Sequence, residues 1–454
     1  MSFAVINPFD GQLIEEIPAW DDKQIDSALD QVATVTPVWA ATPIAERCRL
    51  MRKAAQVLRD NLDEYAALIT REMGKLLSEA RAEVEKSALA CDYYAEQGPE
   101  FLQDEMIDSD AGKSYVAHLP LGTVLAVMPW NFPFWQVFRF AAPALIAGNT
   151  GLLKHASNVP GCALAIEDVF TRAGFPQGVF CSLMIAAAQV QKVIEDPRVR
   201  AVTLTGSETA GRKVAASAGA CLKKSVLELG GSDAFIVLDD AELDAAVPVA
   251  VTSRFLNAGQ SCIAAKRFIV VDSIAEAFVT RFKTAVEALQ PGDPLAAGST
   301  LAPMARRDLR DELHQQVMDS IAAGAVAITG CKPLAGDGAF YPASILDGVA
   351  VGMRAYHEEL FGPVAIVIRA RDEQHAIRIA NDSPYGLGGS VWSCDASRGE
   401  RLARQIESGA TFVNGLVKSD PRLPFGGIKN SGYGRELSHH GIKEFVNAKT
   451  IWIK

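Results

Sequence analysis

The stretch that decides the architecture is Thr123-Val124-Leu125-Ala126-Val127-Met128, followed by Pro129-Trp130-Asn131-Phe132-Pro133. Six uncharged residues without polar alternation read as a strand buried on both faces. The two prolines then end it, since neither can donate to a ladder, and a helix is expected beyond Pro133. The same unit recurs outward. Short apolar runs at 151–153, 179–183, 201–204 and 226–229 alternate with helical spacing at 159–173 and 208–218. Alternating strand and helix predicts βαβ units and a parallel sheet covered on both faces. A second series runs from 234 to 414, with strands expected at 235–238, 268–271, 364–368 and 411–413. Two α/β domains meeting near residue 231 are the simplest account. Upstream, three apolar stripes predict three amphipathic helices: Ile25, Ala28, Leu29 and Val32; Leu50, Ala54, Val57 and Leu58; Ala80, Val84, Ala88 and Cys91.

The chain has 454 residues, about three domains at roughly 150 each. With 49% hydrophobic and 22% charged residues, it reads as globular and not as disordered, collagen-like or coiled-coil. Fifty-four acidic against 44 basic residues give a net charge of -10, so nucleic acid is not an expected partner. No uncharged run approaches the roughly 18 residues of a membrane span, and the best candidate, 141–148, is broken by Pro143. The first residues carry no basic segment followed by an apolar one, so export is not expected. Eight cysteines, at 48, 91, 162, 181, 221, 262, 331 and 394, leave no CxxC redox or zinc pattern. No metal is expected, and scattered thiols suit a reducing cytoplasm.

Familiar nucleotide motifs are missing. Gly386, Gly388 and Gly389 approach GxGxxG, but Val391 stands in the last position. Gly112-Lys113-Ser114 ends like a P-loop whose first glycine is replaced by Ile107. Neither HExxH nor GxSxG occurs. Three residues nevertheless stand out. Cys262 follows the polar, glycine-containing turn Asn257-Ala258-Gly259-Gln260-Ser261, where backbone amides can hold a thiolate; a lone cysteine is otherwise a small core filler. Glu228 interrupts the apolar run Val226-Leu227-Glu228-Leu229-Gly230-Gly231. Desolvation there would raise its pKa toward that of a working base, unless it faces outward on an edge. Asn131, in its rigid turn, can aim an NH2 group at a developing oxyanion or simply pack in an aromatic corner.

Six fragments occur together in order. They are Pro129-Trp130-Asn131-Phe132-Pro133, Lys154, Glu228-Leu229-Gly230-Gly231, Gly259-Gln260-Ser261-Cys262, Glu359-Leu360-Phe361-Gly362-Pro363-Val364 and Pro424-Phe425-Gly426-Gly427-Ile428-Lys429-Asn430-Ser431-Gly432. In this the chain resembles the aldehyde dehydrogenase superfamily over essentially its whole length. The resemblance implies two Rossmann-like parallel-sheet domains and a small oligomerisation arm: a cofactor-binding domain at 1–101 and 121–230, a catalytic domain at 231–421, and an arm from 102–120 and 440–454. It implies Cys262 as nucleophile, Asn131 as oxyanion donor and Glu228 as base for thioester hydrolysis. It also implies cofactor contacts from Met128, Pro129, Trp130, Lys154, Ser157, Gly206, Ser207, Leu229, Glu359 and Phe361. Many NAD-preferring members carry Glu where this chain has Ser157, so NADP is expected to be preferred and NAD accepted. His155, where proline is common, departs from the pattern.

Arg139 stands in the apolar segment Phe138-Arg139-Phe140-Ala141-Ala142 and needs a partner. Either it makes an internal salt bridge or it clamps a substrate carboxylate bidentately. With Ser419, it resembles the succinate-semialdehyde dehydrogenase branch, which makes succinate semialdehyde the expected substrate. Two departures stand beside that. Leu256 replaces a second arginine, for which Arg254 two positions earlier either substitutes or does not, and Ala264 replaces a second cysteine. Alternatives are another short aliphatic or omega-carboxylate aldehyde such as glutarate semialdehyde, a cysteine hydrolase, or a non-catalytic relative. A homodimer or homotetramer is expected.

Overall fold

The computed structural model describes residues 2–454. The chain opens with an antiparallel pair, β1 (Ser2–Ile6) and β2 (Leu13–Pro18), and four helices, α1 (Asp22–Ala41), α2 (Ile44–Asp60), α3 (Leu62–Met73) and α4 (Leu77–Phe101). After β3 (Glu105–Met106) and β4 (Lys113–Pro120), strand and helix alternate: β5 (Thr123–Met128), α5 (Trp135–Ile146), β6 (Thr150–His155), α6 (Pro160–Ala173), β7 (Phe180–Ser182), α7 (Val190–Glu195), β8 (Val199–Thr205), α8 (Glu208–Ala220) and β9 (Lys224–Glu228). Next come β10 (Asp233–Val237), α9 (Leu243–Phe255) and β11 (Ala265–Val271). The remaining strands are β12 (Val326–Thr329), β13 (Ser344–Asp347), β14 (Val364–Ala370), β15 (Tyr385–Gly386), β16 (Gly388–Trp392), β17 (Ala410–Val413), β18 (Ile428–Lys429), β19 (Gly432–Tyr433) and β20 (Val446–Ile453).

Two sheets carry the fold. The first, in order β19-β9-β8-β5-β6-β7, is parallel except for β19. Its central β5 pairs with β6 on one side and β8 on the other, so the strand order reverses between β5 and β8. A crevice outside the carboxyl ends of such strands is where open α/β sheets take ligands. Alternate β5 side chains serve opposite layers: Val124 and Ala126 pack with α2 to α6, and Leu125 packs with α1, α7 and α8. That is why the strand reads as unbroken apolar sequence. The second sheet runs β12-β13-β14-β11-β10-β16-β17, antiparallel only at β12. The chain passes between the sheets within the four residues from Leu229 to Ser232.

The upstream helices number four, against three stripes in the sequence. The extra one, α3, buries Tyr65, Ala66, Ile69 and Met73, and Asn61 joins it to α2 so closely that no loop signal separates them. Strand β16 also escapes the pattern, because Gly388, Gly389 and Ser390 have low β-propensity. Gly388 is required by packing, since a Cβ there would lie 2.3 Å from an Asp233 carboxylate oxygen. A third sheet, β3-β4-β20, joins 105–120 to 446–453 in antiparallel register. Its Met106, Trp452 and Ile453 are about half exposed or more. Among the described residues no helix is long and apolar enough to cross a membrane.

Candidate active site

The loop after α9 is wound by three consecutive left-handed residues, Asn257 (φ 55), Ala258 (φ 52) and Gly259 (φ 71). Two are not glycine, and such a conformation costs roughly 1–2 kcal/mol per residue, so the surroundings must hold it. Asn257 Nδ2 donates to the carbonyls of Asn131 (2.8 Å) and Gln260 (3.1 Å), and Asn257 N donates to Glu79 (3.0 Å). Gln260 Oε1 accepts from Ala305 N at 2.9 Å. Lys266 Nζ donates to the carbonyls of Ser261 (2.8 Å) and Cys262 (2.7 Å). Position 259 admits only glycine, because a Cβ would sit 2.4 Å from the Gly362 carbonyl oxygen. Cys262 is thereby presented half-buried. Burial pushes its thiol up to about 12, against the downward pull of Lys266 and Arg139, so the resting site holds a thiol.

The turn after β5 meets this loop. Asn131 Nδ2 donates to the Gln260 carbonyl at 3.0 Å, and its Oδ1 accepts from Gln136 at 3.1 Å. The amide is fixed in orientation, with one N–H still free for a ligand. Glu228 ends β9, and its backbone carbonyl accepts from Gly206 N at 2.9 Å. Both of its carboxylate oxygens are buried without a hydrogen-bond partner among the described residues. Burial, then the nearby Glu436, holds its carboxyl well above the usual range. A proton acceptor shielded from water and unengaged by donors suits general-base work. The structure thus brings Asn131 and the Cys262 loop into contact and leaves Glu228 close enough to influence the thiol's titration.

Cys262 opens onto a cavity of about 120 Å³ shared with Trp135, Arg139, Leu256, Ser419 and Phe425, far below the roughly 300 Å³ where drug-sized sites begin. Arg139 lines this cavity but already has an internal partner. Its Nε is ion-paired with buried Glu436, its Nη2 reaches Thr205 Oγ1 at 3.2 Å, and the guanidinium lies over Phe425. A 2% exposed cation needs an internal counter-charge to remain ionised, and Glu436 supplies it through the ion pair at Nε; Nη1 makes no hydrogen bond among the described residues. Arg254 does not substitute at the substrate. It is wholly buried and donates to the carbonyls of Leu360, Gly362 and Val364, bracing the segment behind Glu359.

On the crevice side, Lys154 ends near the carboxyl terminus of β6, buried and in no ion pair among the described residues; burial alone lowers its pKa. Ser157 is exposed just beyond. His155 is held neutral, its pKa pushed down to about 4 by burial. Its Nδ1 accepts from Ala156 N at 2.9 Å, so Nε2 donates to the Pro133 carbonyl, also at 2.9 Å. The departure at 155 therefore ties the end of β6 to the Asn131 turn. Ser207 caps α8, accepting from Ala210 N, and leaves the other first-turn amides beside Gly206 open to an anion. Leu229 is buried beneath α8, against Gly211. Trp130 and Phe361 stack edge to face at 5.8 Å, next to Met128 and Pro129. Glu359 pairs with Lys266 at 2.9 Å and accepts from Gly231 N at 3.2 Å. Gly230 leaves it room, since a Cβ there would lie 2.3 Å from Glu359 Oε2. An unpaired lysine, an open helix start and a glycine-lined wall fit a dinucleotide.

Glu436, Lys266 and Lys86 were not singled out by the sequence. Lys266 alone left a signal, a charge beside Arg267 at the start of an otherwise apolar strand, four residues after Cys262. A buried thiol beside a fixed amide and an unengaged carboxylate, next to a dinucleotide crevice, defines an oxidoreductase working through a covalent thiol adduct. The chain belongs to the aldehyde dehydrogenase family, which it matches over residues 1–451. It is 51% identical over 453 residues to a probable NADP(+) succinate-semialdehyde dehydrogenase of Synechocystis sp., both chains being covered in full. It is 48% identical to the NAD(P)+ succinate semialdehyde dehydrogenase Sad of Escherichia coli, covering 98% of this chain and 97% of that one. The crystal structure of succinic semialdehyde dehydrogenase from Streptococcus pyogenes in complex with NADP+ superposes with a TM-score of 0.98 at 38% identity, over 99% of each chain.

Proposed function

We propose that this protein oxidises succinate semialdehyde to succinate with NADP+, and accepts NAD+ as well. The observation that carries the reading is the small cavity in which Cys262 shares walls with cationic side chains and Ser419. It suits a short aldehyde with a negative far end. The exposed Ser157 hydroxyl beside Lys154 leaves room for a 2′-phosphate that a carboxylate would repel. In the reaction, the Cys262 thiol gives its proton to solvent water and Sγ forms a bond to the aldehyde carbon. The oxygen that becomes anionic accepts hydrogen bonds from the free N–H of Asn131 and the backbone N–H of Cys262. NADP+, when bound, supplies the hydride acceptor, and its nicotinamide charge favours the thiolate. A thioester then remains on Cys262. Glu228 takes a proton from water as its oxygen attacks that carbon; the C–S bond breaks, the departing sulfur takes that proton from Glu228 to restore the thiol, and the acid leaves as carboxylate with its own proton passing to solvent.

The same reading puts the enzyme in the cytoplasm, in keeping with eight free cysteines. It makes the half-exposed β3-β4-β20 sheet an arm pairing copies into a homodimer or homotetramer. NADPH formation with succinate semialdehyde, glutarate semialdehyde and butanal, each against both cofactors, tests the function. Succinate semialdehyde with NADP+ is expected to give the highest kcat/KM. A neutral aldehyde matching it would overturn the substrate, and no reduced cofactor with any aldehyde would overturn the activity.

A further inference from the structure

Lys86 is a half-buried cation in the cavity that no carboxylate claims. It projects from α4 and lines the same cavity as Cys262. Its Nζ donates to Ser419 Oγ at 2.7 Å and lies 4.2 Å from the centre of the Trp135 ring. Trp135 Nε1 donates to the same Ser419 Oγ at 3.0 Å. Two donors fill both lone pairs of that hydroxyl, so its own hydrogen must point elsewhere, and no acceptor for it is found among the described residues. The carboxylates facing Lys86 are all committed. Glu83, on the same helix, is paired with buried Lys75 and accepts from Phe134 N and Trp135 N. Asp420 is held by Arg422. Arg139, on α5, carries the charge of Glu436, and Lys418 is exposed at the rim. What remains, at the wall of a small cavity, is an ammonium with N–H groups to spare beyond its bond to Ser419 and a hydroxyl hydrogen without an acceptor among the described residues. A desolvated cation of this kind calls for an anion.

We infer that Lys86 Nζ and the Ser419 hydroxyl together receive the substrate's far carboxylate, with Lys86 as a specificity-determining residue. This rests on the proposed function and adds the group that reads the charge. Arg139 contributes its positive field from within its pair with Glu436. Burial, and next the charge of Arg139, bring Lys86 down to about 8, with Glu83 and Asp420 pulling up and Lys75 down. Below that pH the ammonium is charged and can hold a carboxylate; above it, the charge and the preference for an anionic aldehyde are lost together.

The test compares kcat/KM for succinate semialdehyde and for butanal, a neutral aldehyde of equal chain length, in the intact enzyme with NADP+. At pH 7, Lys86→Met is expected to lower the succinate semialdehyde value between about tenfold and a hundredfold, the usual worth of one charged hydrogen bond. The butanal value should stay within about twofold, which also shows that the variant folds. Lys86→Arg should keep most of the preference, and Lys418→Met should change it little. In the parent, the ratio of the two values should fall as pH rises through about 8. That limb should vanish in Lys86→Met. Equal losses for both aldehydes, or a preference that survives Lys86→Met, overturns the assignment of Lys86 alone. A parent enzyme without preference for the semialdehyde overturns the substrate reading and this inference with it.

Discussion

Replacing Arg139 by Met should cost stability before it costs specificity. The guanidinium is 2% exposed, ion-paired to a Glu436 that is itself buried, and bonded to Thr205 Oγ1. Met keeps the apolar stem and its packing against Phe425 but leaves the Glu436 carboxylate without its counter-charge. Breaking a buried pair from one side typically costs 3–5 kcal/mol. An independent bound agrees. If Glu436 escapes by taking up a proton, a carboxyl with an unfolded-state pKa of about 4.3 pays about 3.7 kcal/mol at pH 7, at about 1.36 kcal/mol per pH unit. The expected loss is therefore about 4 kcal/mol, read as a lower urea midpoint. Its sign with pH follows. In the variant the folded-state carboxyl is raised above its unfolded value, so the folded form binds the extra proton and gains on the unfolded one as pH falls. At pH 5.5 the penalty should shrink by about 2 kcal/mol. Arg139→Met/Glu436→Gln, which needs no proton, should recover most of the loss at pH 7. Activity should fall for charged and neutral aldehydes alike, since Arg139 also lowers the pKa of Cys262 and Glu228. Unchanged stability with a loss confined to succinate semialdehyde would refute this and restore the free clamp.

Two further outcomes are expected. Ser157→Glu should lower the NADP-to-NAD ratio of kcat/KM by about tenfold or more, because a carboxylate there repels the 2′-phosphate and accepts from ribose hydroxyls; an unchanged ratio would place the phosphate elsewhere. Iodoacetamide should alkylate Cys262 of the cofactor-free enzyme about tenfold faster for each pH unit between about 7 and 10, as a thiol titrating near 12 requires. A plateau below pH 9 would mean the thiolate is already formed in the resting site.

Local physics made much of this protein legible in its sequence. Strand β5 and the turn after it follow from six apolar residues and two prolines, and the helical stripes at Ile25 and Ala80 lie buried in α1 and α4. Cys262, Glu228 and Asn131 were visible because each is a polar or reactive group set in a glycine-rich or apolar stretch where it has no local reason to be. Backbone preference and side-chain solvation act over a few residues, and composition records them.

The tertiary structure alone decided which charges meet. For Arg139 the sequence favoured a substrate clamp over an internal salt bridge, and its ion-pair partner, Glu436, arrives from beyond the second sheet. Arg254 stands two positions from Leu256 in the chain, yet its guanidinium points into the carbonyls behind Glu359. Lys86 and Ser419 lie 333 positions apart, and in sequence Lys86 is one more lysine on an amphipathic helix. Electrostatic partnership depends on distance and desolvation, and both come into being only when the two sheets and α4 close around the cavity.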